Sequence, residues 1–153
     1  MLIRKAKADE TEQIGDIDVA SFLNSPYGEK KGLAQNKEAQ QIRWNHAKSF
    51  CNEHPDWVYV AVEDDKVVGV ATLFYQPEER TGEVENNAVL REYRGRGIST
   101  LLVSRVVEEL KNLGAEQINV HTDAVPAACR VYEKVGFKLV RREGENSYYE
   151  MCL

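Results

Sequence analysis

Arg94-Gly95-Arg96-Gly97-Ile98-Ser99 stands between a strand-like run at residues 83–89 and a long amphipathic stretch that ends at Gly114. Two glycines one residue apart let the backbone bend sharply and come close to a ligand. Where the following helix begins, its first N–H groups have no carbonyl partner, and the positive end of the helix dipole lies behind them. Such a turn binds phosphate, and the arginines can add charged hydrogen bonds. The other reading of the same residues is a tight strand-to-helix turn with solvated arginines. Two further phosphate loops do not fit. A triphosphate loop needs Gly-Lys followed by Ser or Thr, which occurs nowhere in the chain. A dinucleotide fingerprint would need glycine at Thr100 and a parallel βαβ unit, whereas the strands before this turn read as an antiparallel meander.

Downstream of the turn, Ile98, Leu101, Leu102, Val106, Leu110 and Leu113 keep helical spacing. Upstream, residues 57–62 and 67–75 alternate as two strands around a turn at 63–66, and a second turn at 77–82 leads to residues 83–89. Residues 2–6 read as a first strand. Asp9-Glu10-Thr11-Glu12 has the form of a helix cap with an acid at the third helical position, which predicts a helix over 10–22. Pro26, Gly28 and Gly32 make residues 24–36 a loop. Ala39, Ile42, His46 and Phe50 then mark one face of a helix that stops before Pro55. The remainder reads as a strand at 117–121, a short helix at 126–135, and strands at 137–141 and 148–153 around Gly144. The order is β-α-α-β-β-β-α-β-α-β-β, without an internal repeat or a linker.

A length of 153 residues fits a single domain, 1–153, with a core large enough to need no disulfide or metal staple. Apolar residues make up 42% and charged residues 29%, the composition of a soluble globular protein. No apolar run is long enough for a membrane span, and Met1-Leu2-Ile3-Arg4-Lys5 lacks the apolar stretch of a signal peptide. A cytoplasmic location is therefore expected. Cys51, Cys129 and Cys152 are scattered, and neither they nor His46, His54 and His121 have metal-ligand spacing, so no metal is expected. The net charge of −5 argues against nucleic acid or an anionic membrane as partner. Arg91, Arg94, Arg96 and Arg105 nevertheless face a single acid, Glu92, between Asn86 and Val107. A small anionic ligand at one site suits that distribution.

In this turn and in a second stretch near residue 132, the sequence resembles the GNAT superfamily of acetyl-CoA-dependent N-acetyltransferases. Their pyrophosphate motif runs Arg or Gln, two residues, Gly, one residue, then Gly or Ala. Arg94 and Gly97 match it, and Ser99 departs from the last position. Tyr93-Arg94-Gly95-Arg96-Gly97-Ile98 is similar to the commonest form of the motif, and Val131-Tyr132-Glu133-Lys134-Val135-Gly136-Phe137 to a second signature. The resemblance spans nearly the whole chain. It implies an α+β fold of three layers, α/β/α, with a mixed, mostly antiparallel sheet of about seven strands and four helices.

The resemblance further implies acetyl-CoA as cosubstrate, a primary amine as acceptor, and direct attack of one on the other; a homodimer is compatible with it. A non-catalytic acyl-CoA sensor of the same fold is the alternative. The implied CoA contacts are Ala88, Val89, Leu90 and Arg91 at the strand end, Arg94, Gly95, Arg96, Gly97, Ile98, Ser99 and Thr100 in the turn, and Val125, Ala128 and Tyr132 beyond it. Val125 stands where the family often has an asparagine that holds pantetheine and caps the short helix. A protonated amine must lose a proton before it attacks a thioester. Glu83 and Glu85, two apart and so on one strand face, are the candidate bases, with Glu83 in the position the family commonly uses and Glu85 nearer the expected thioester. A main-chain N–H near Val89 is the implied oxyanion donor, and Tyr132 the acid for the leaving thiolate. The spacing of Ala128, Val131, Tyr132 and Val135 also allows Tyr132 a purely core role. Cys129 reads as a buried apolar thiol. For the acceptor wall the resemblance implies residues 21–55, and Tyr27, Trp44, Trp57, Tyr148 and Tyr149 are candidate aromatic surfaces.

Overall fold

The hairpin read from the alternating valines is the middle of a seven-stranded sheet in the computed structural model, which describes residues 1–123 and 125–153. Its strands are β2 (Val58–Glu63) and β3 (Lys66–Gln76), joined through Asp64 and Asp65, both left-handed with φ of 49° and 61°. Aspartate tolerates that conformation, and the resulting twist matches a tight hairpin. Together with β1 (Leu2–Lys5), β4 (Thr81–Val89), β5 (Gln117–Asp123), β6 (Lys138–Glu143) and β7 (Asn146–Cys152), the sheet order is β1-β2-β3-β4-β5-β7-β6. Among the described residues only β4 and β5 run parallel, as the mixed, mostly antiparallel sheet of the expectation requires.

Both faces are covered by helices, giving the three-layer arrangement. On one face Tyr59, Ala61, Val68, Ala71 and Leu73 pack against α4 (Ile98–Leu113) and α5 (Pro126–Val135). On the other, Val58, Val60, Val67 and Val70 meet Ile14 and Ile17 of α1 (Thr11–Leu23) and Cys51 of α3 (Lys37–Glu53). Glycines bound α4: Gly97 before it and Gly114 after it have φ of 79° and 105°, conformations that cost other residues about 1–2 kcal/mol. Its inner face is Ile98, Leu102, Val103, Val106, Val107 and Leu110, while Leu101 and Leu113 are exposed. Among the described residues no helix is long and apolar enough to cross a membrane.

Three local expectations are corrected. Residues 24–36 contain a fifth helix, α2 (Pro26–Lys30), where a loop was expected. The Gly28 N–H donates to Ser25 Oγ at 3.0 Å, and Pro26 fits the first helical position, where a missing N–H costs nothing. Helix α3 is rotated from its expected face: Ile42 is 63% exposed, and Arg43 points inward. The cause is Asp18, buried on α1, which needs a cation and finds Arg43 Nε at 2.8 Å. Helix α1 starts at Thr11, after a short turn over Ala8–Glu10. Glu10 is the acid that caps this turn, accepting the Lys7 N–H at 2.7 Å and pairing with Arg4 at 2.8 Å.

Two irregularities in β4 position everything that follows. Its parallel pairing with β5 covers Thr81 to Glu83 and then ends, so the strands part. Its pairing with β3 shifts register between Thr72 and Leu73, leaving Glu85 as an extra residue opposite Thr72. Val84 and Val89 pack in the same core against α4 although strict alternation would put them on opposite faces. The bulge resolves this. Glu83, Glu85 and Asn86 face α1 and α3, whereas Val84, Asn87 and Val89 face α4 and α5.

Candidate active site

A cleft of about 940 Å³ runs from the turn before α4, across the parting of β4 and β5, to the wall made by α1, α2 and α3. At one end lie Arg94, Gly95, Gly97, Ile98, Ser99 and Thr100. A Cβ added to Gly95 or Gly97 would meet nothing within 4 Å, so their backbone is open on the side a ligand would approach. The first N–H groups of α4 lie in the same place without intrahelical partners. Arg94 Nε donates to the Val89 carbonyl at 3.1 Å, which pins the turn to the end of β4 and leaves the outer guanidinium nitrogens for a ligand. Arg130 and Lys134, a turn apart on α5, also line the cleft and add two more positive charges. This donor set fits the pyrophosphate of a coenzyme A thioester.

Arg96 is arranged differently. Its guanidinium lies over the Tyr93 ring at 5.1 Å and approaches Glu63 at 3.6 Å, and the residue does not line the cleft. Arg91 is exposed in a short turn and Leu90 packs against the core, its N–H bonded to the Val68 carbonyl at 2.9 Å, and neither residue lines the cleft. Ala88 and Val89 line it from the core, and Val125 and Ala128 line it from α5 and the residue before it. Helix α5 starts at Pro126 with no side-chain cap, as valine at position 125 dictates.

In the middle of the cleft, backbone groups of β4 point into the gap. Leu90 and Ala88 bond toward β3, so by alternation the Val89 N–H faces away from it, on the same side as the carbonyl that Arg94 takes. Tyr132 of α5 is 6% exposed, and burial pushes its phenol up to about 12, with the neighbouring Asn87 side chain working in the opposite direction. The phenol therefore stays protonated across the physiological range and is a standing donor. Cys129 is buried beside it.

Glu83 and Glu85 share a face, as expected, but have separate surroundings. Burial raises the proton affinity of Glu83, with His121 at 3.7 Å lowering it and Glu85 raising it further. Glu85 lines the cleft and accepts from Thr72 Oγ1 at 2.8 Å, with His46 at 3.9 Å. Glu83 does not line the cleft directly, whereas His121 does. Of the expected aromatic surfaces, Tyr27 lines the acceptor end; Trp44 donates to Asp16 at 3.1 Å and Trp57 stacks on His54 at 4.5 Å, both away from it. Tyr148 stacks on His121, and Tyr149 is buried with its hydroxyl on Glu133 at 3.0 Å.

Several cleft residues escaped the sequence reading. Asp18, Arg43 and Asn86 form a polar cluster on the acceptor wall, with the Asn86 amide donating to Asp18. Burial raises the proton affinity of Asp18, opposed by Arg43 and Asn86. Arg130 and Lys134 were legible in principle, because their spacing from Ala127 places all three on one face of α5. Asn87 carried no signal, since its face depends on the bulge.

Residues 18–137 match the family described as "Acetyltransferase (GNAT) family". The chain is 31% identical to N-alpha-acetyltransferase 30 of Schizosaccharomyces pombe, over 61% of this chain and 65% of the relative. It is 34% identical to an N-alpha-acetyltransferase of Saccharolobus solfataricus, over 59% of this chain and 65% of the relative. The matches thus span less than two thirds of either relative. The fold is similar to that of the PaiA N-acetyltransferase from Thermoplasma acidophilum, solved in complex with coenzyme A, with a TM-score of 0.76 at 16% identity over 99% of this chain and 98% of the other.

Proposed function

Because the chain belongs to the GNAT acetyltransferase family, we propose that it is an acetyl-CoA-dependent N-acetyltransferase acting on a primary amine, with both substrates bound together. The observation that carries this reading is the cleft that joins the open glycine turn at the start of α4 to Tyr132, His121 and the Glu85 carboxylate of β4. Acetyl-CoA supplies the activated acetyl thioester. Arg94, Arg130 and the N–H groups from Gly95 to Ser99 hold its pyrophosphate, and Ala128 and Val125 flank its pantetheine arm. The named relatives favour an α-amino group as the acceptor. Residues 1–153 act as one catalytic domain, and a cytoplasmic location belongs to the same reading.

The residues of the chain divide the chemistry. Glu83 accepts the amine proton through His121 and water, its half-buried carboxyl having a raised proton affinity, while Glu85 draws the cationic amine into the cleft. The Val89 N–H faces the acetyl oxygen and meets the negative charge that develops there. Tyr132 delivers a proton to the leaving group. Removing water around these groups strengthens each of these interactions.

The test is thiol release from acetyl-CoA with a panel of amines, polyamines, aminoglycosides, amino acids and peptides. Acceptor-dependent release in any class supports the enzyme. Tight CoA binding with no release in any class identifies a sensor that keeps the fold.

A further inference from the structure

The acceptor wall buries an acid and turns the cation paired with it toward the cleft. Arg43 of α3 approaches Asp18 Oδ2 through Nε at 2.8 Å and donates from Nη2 to Oδ1 at 3.3 Å; the Asn86 amide donates to Oδ1 as well. The Arg43 side chain is 29% exposed against 4% for Asp18, and both residues line the cleft. A ligand at this wall therefore meets the guanidinium, with the carboxylate behind it. Of the five guanidinium hydrogens, Asp18 faces those on the Nε side. The end formed by Nη1 and the second Nη2 hydrogen has no partner among the described residues. Phe22 lies against the face of the group, so its plane is set before a ligand arrives. Glu85 supplies the opposite charge in the same cleft. One of its oxygens accepts from Thr72 Oγ1 at 2.8 Å, and the other is 3.9 Å from His46, one turn along α3 from Arg43. The wall thus presents an anion and a cation side by side, joined through Asn86.

We propose that Arg43 selects the acceptor, which is an amine that also carries a carboxylate: the ammonium is drawn to Glu85, and the carboxylate is held by the free end of the Arg43 guanidinium. The inference rests on the acetyl-transfer reading given above and names its acceptor class. Two parallel N–H donors match the two oxygens of a carboxylate, a geometry that a lysine ammonium does not offer. Asp18 does not touch the acceptor. It is a positioning residue that holds the guanidinium by its other edge, so that the donors aim into the cleft. A buried ion pair is often no more stabilising than an apolar pair of the same size. The function of this one lies in what its exposed edge holds.

The experiment compares acceptors that differ only in the carboxylate. An amino acid against its amide tests an α-carboxylate, and a peptide amide beginning with glutamate against one beginning with glutamine tests a side-chain carboxylate. The wild type should favour the acid of at least one pair by about ten-fold or more in kcat/KM, the worth of one charged hydrogen bond, mostly through KM. Asp18→Asn combined with Arg43→Gln removes both charges, leaves no ion buried alone, and should bring that ratio close to one. Arg43→Lys keeps the charge without the fork and should keep only part of the preference. Asp18→Asn alone should raise KM for the acid more than for the amide. Each ratio is measured on one preparation, so a loss of folded protein does not change it. Equal rates within both pairs, or a preference undiminished in the double variant, overturn the proposal. If the wild type releases no thiol with any acceptor, the proposed function fails, and calorimetric titration of each pair into the CoA-bound protein decides the matter. Tighter binding of the acid, lost in the double variant, sustains the role of Arg43, and equal binding overturns it.

Discussion

Replacing Arg94 and Arg96 one at a time should give unequal losses of CoA affinity, although the two arginines look equivalent in the chain. Arg94 lines the cleft, and its Nε bond to Val89 at 3.1 Å holds the guanidinium in place before any ligand arrives. Removing one charged hydrogen bond from such a pre-set group costs about 1.5–3 kcal/mol. At 1.4 kcal/mol per decade this raises the Kd roughly ten- to 150-fold in Arg94→Ala. Arg96 is half exposed and already engaged with Tyr93 and, at 3.6 Å, with Glu63. An exposed charge of this kind is worth about 0–1 kcal/mol, so Arg96→Ala should weaken CoA by about five-fold at most. Isothermal titration calorimetry of CoA into each variant measures both, and thermal melts show whether the fold is intact. Raising the ionic strength should weaken CoA binding to the wild type and compress the difference between the variants. Equal losses in the two variants, or an Arg94→Ala protein that binds CoA as tightly as wild type, would refute the argument that the inward arginine carries the pyrophosphate.

Tyr132→Phe keeps the ring that packs against Phe137 and Tyr149 and should lower kcat about 100-fold or more with CoA affinity nearly unchanged, measured by thiol release and calorimetry. Glu83→Gln should erase the acidic limb of the kcat/KM profile, a limb that lies above the ordinary glutamate range because burial raises the Glu83 pKa from 4.5. Glu85→Gln is the comparison, and the variant that loses the limb names the base. The raised pKa means that the fold favours protonated Glu83. Its stabilising contribution is present below pH 4.5 and is lost as the pH rises through the raised value, so Glu83→Gln should melt higher than wild type at neutral pH and lose that advantage in acid. Gly82→Ala would bring a Cβ to 2.6 Å from a Leu110 methyl at the β4–α4 contact, and chemical denaturation should show a loss of about 1–3 kcal/mol.

What could be read from the chain in advance was local. Helix α5 is bounded by Pro126 and Gly136, and its limits follow from the ring that starts it and the left-handed residue that stops it. Helix α4 is set in the same way by Gly97 and Gly114, and the hairpin by alternating valines around two aspartates. The open glycine turn was legible because its chemistry lies within six consecutive residues. Features that depend on partners distant in the chain were not legible. The inward face of α3 was decided by Asp18, a carboxylate that had to be buried on another helix before Arg43 could outcompete Ile42 for the interior. The separate roles of Arg94 and Arg96 arose from a carbonyl at the end of β4 and a carboxylate at the end of β2. The bulge at Glu85 turned Asn87 toward α4, where its Oδ1 meets Ser99 Oγ at 3.4 Å. A one-residue change of register exchanges every side chain between the two faces of a strand, and no local pattern in β4 records it. Packing against both helical layers at once selects that register, so the polar arrangement of the site is a property of the folded chain alone.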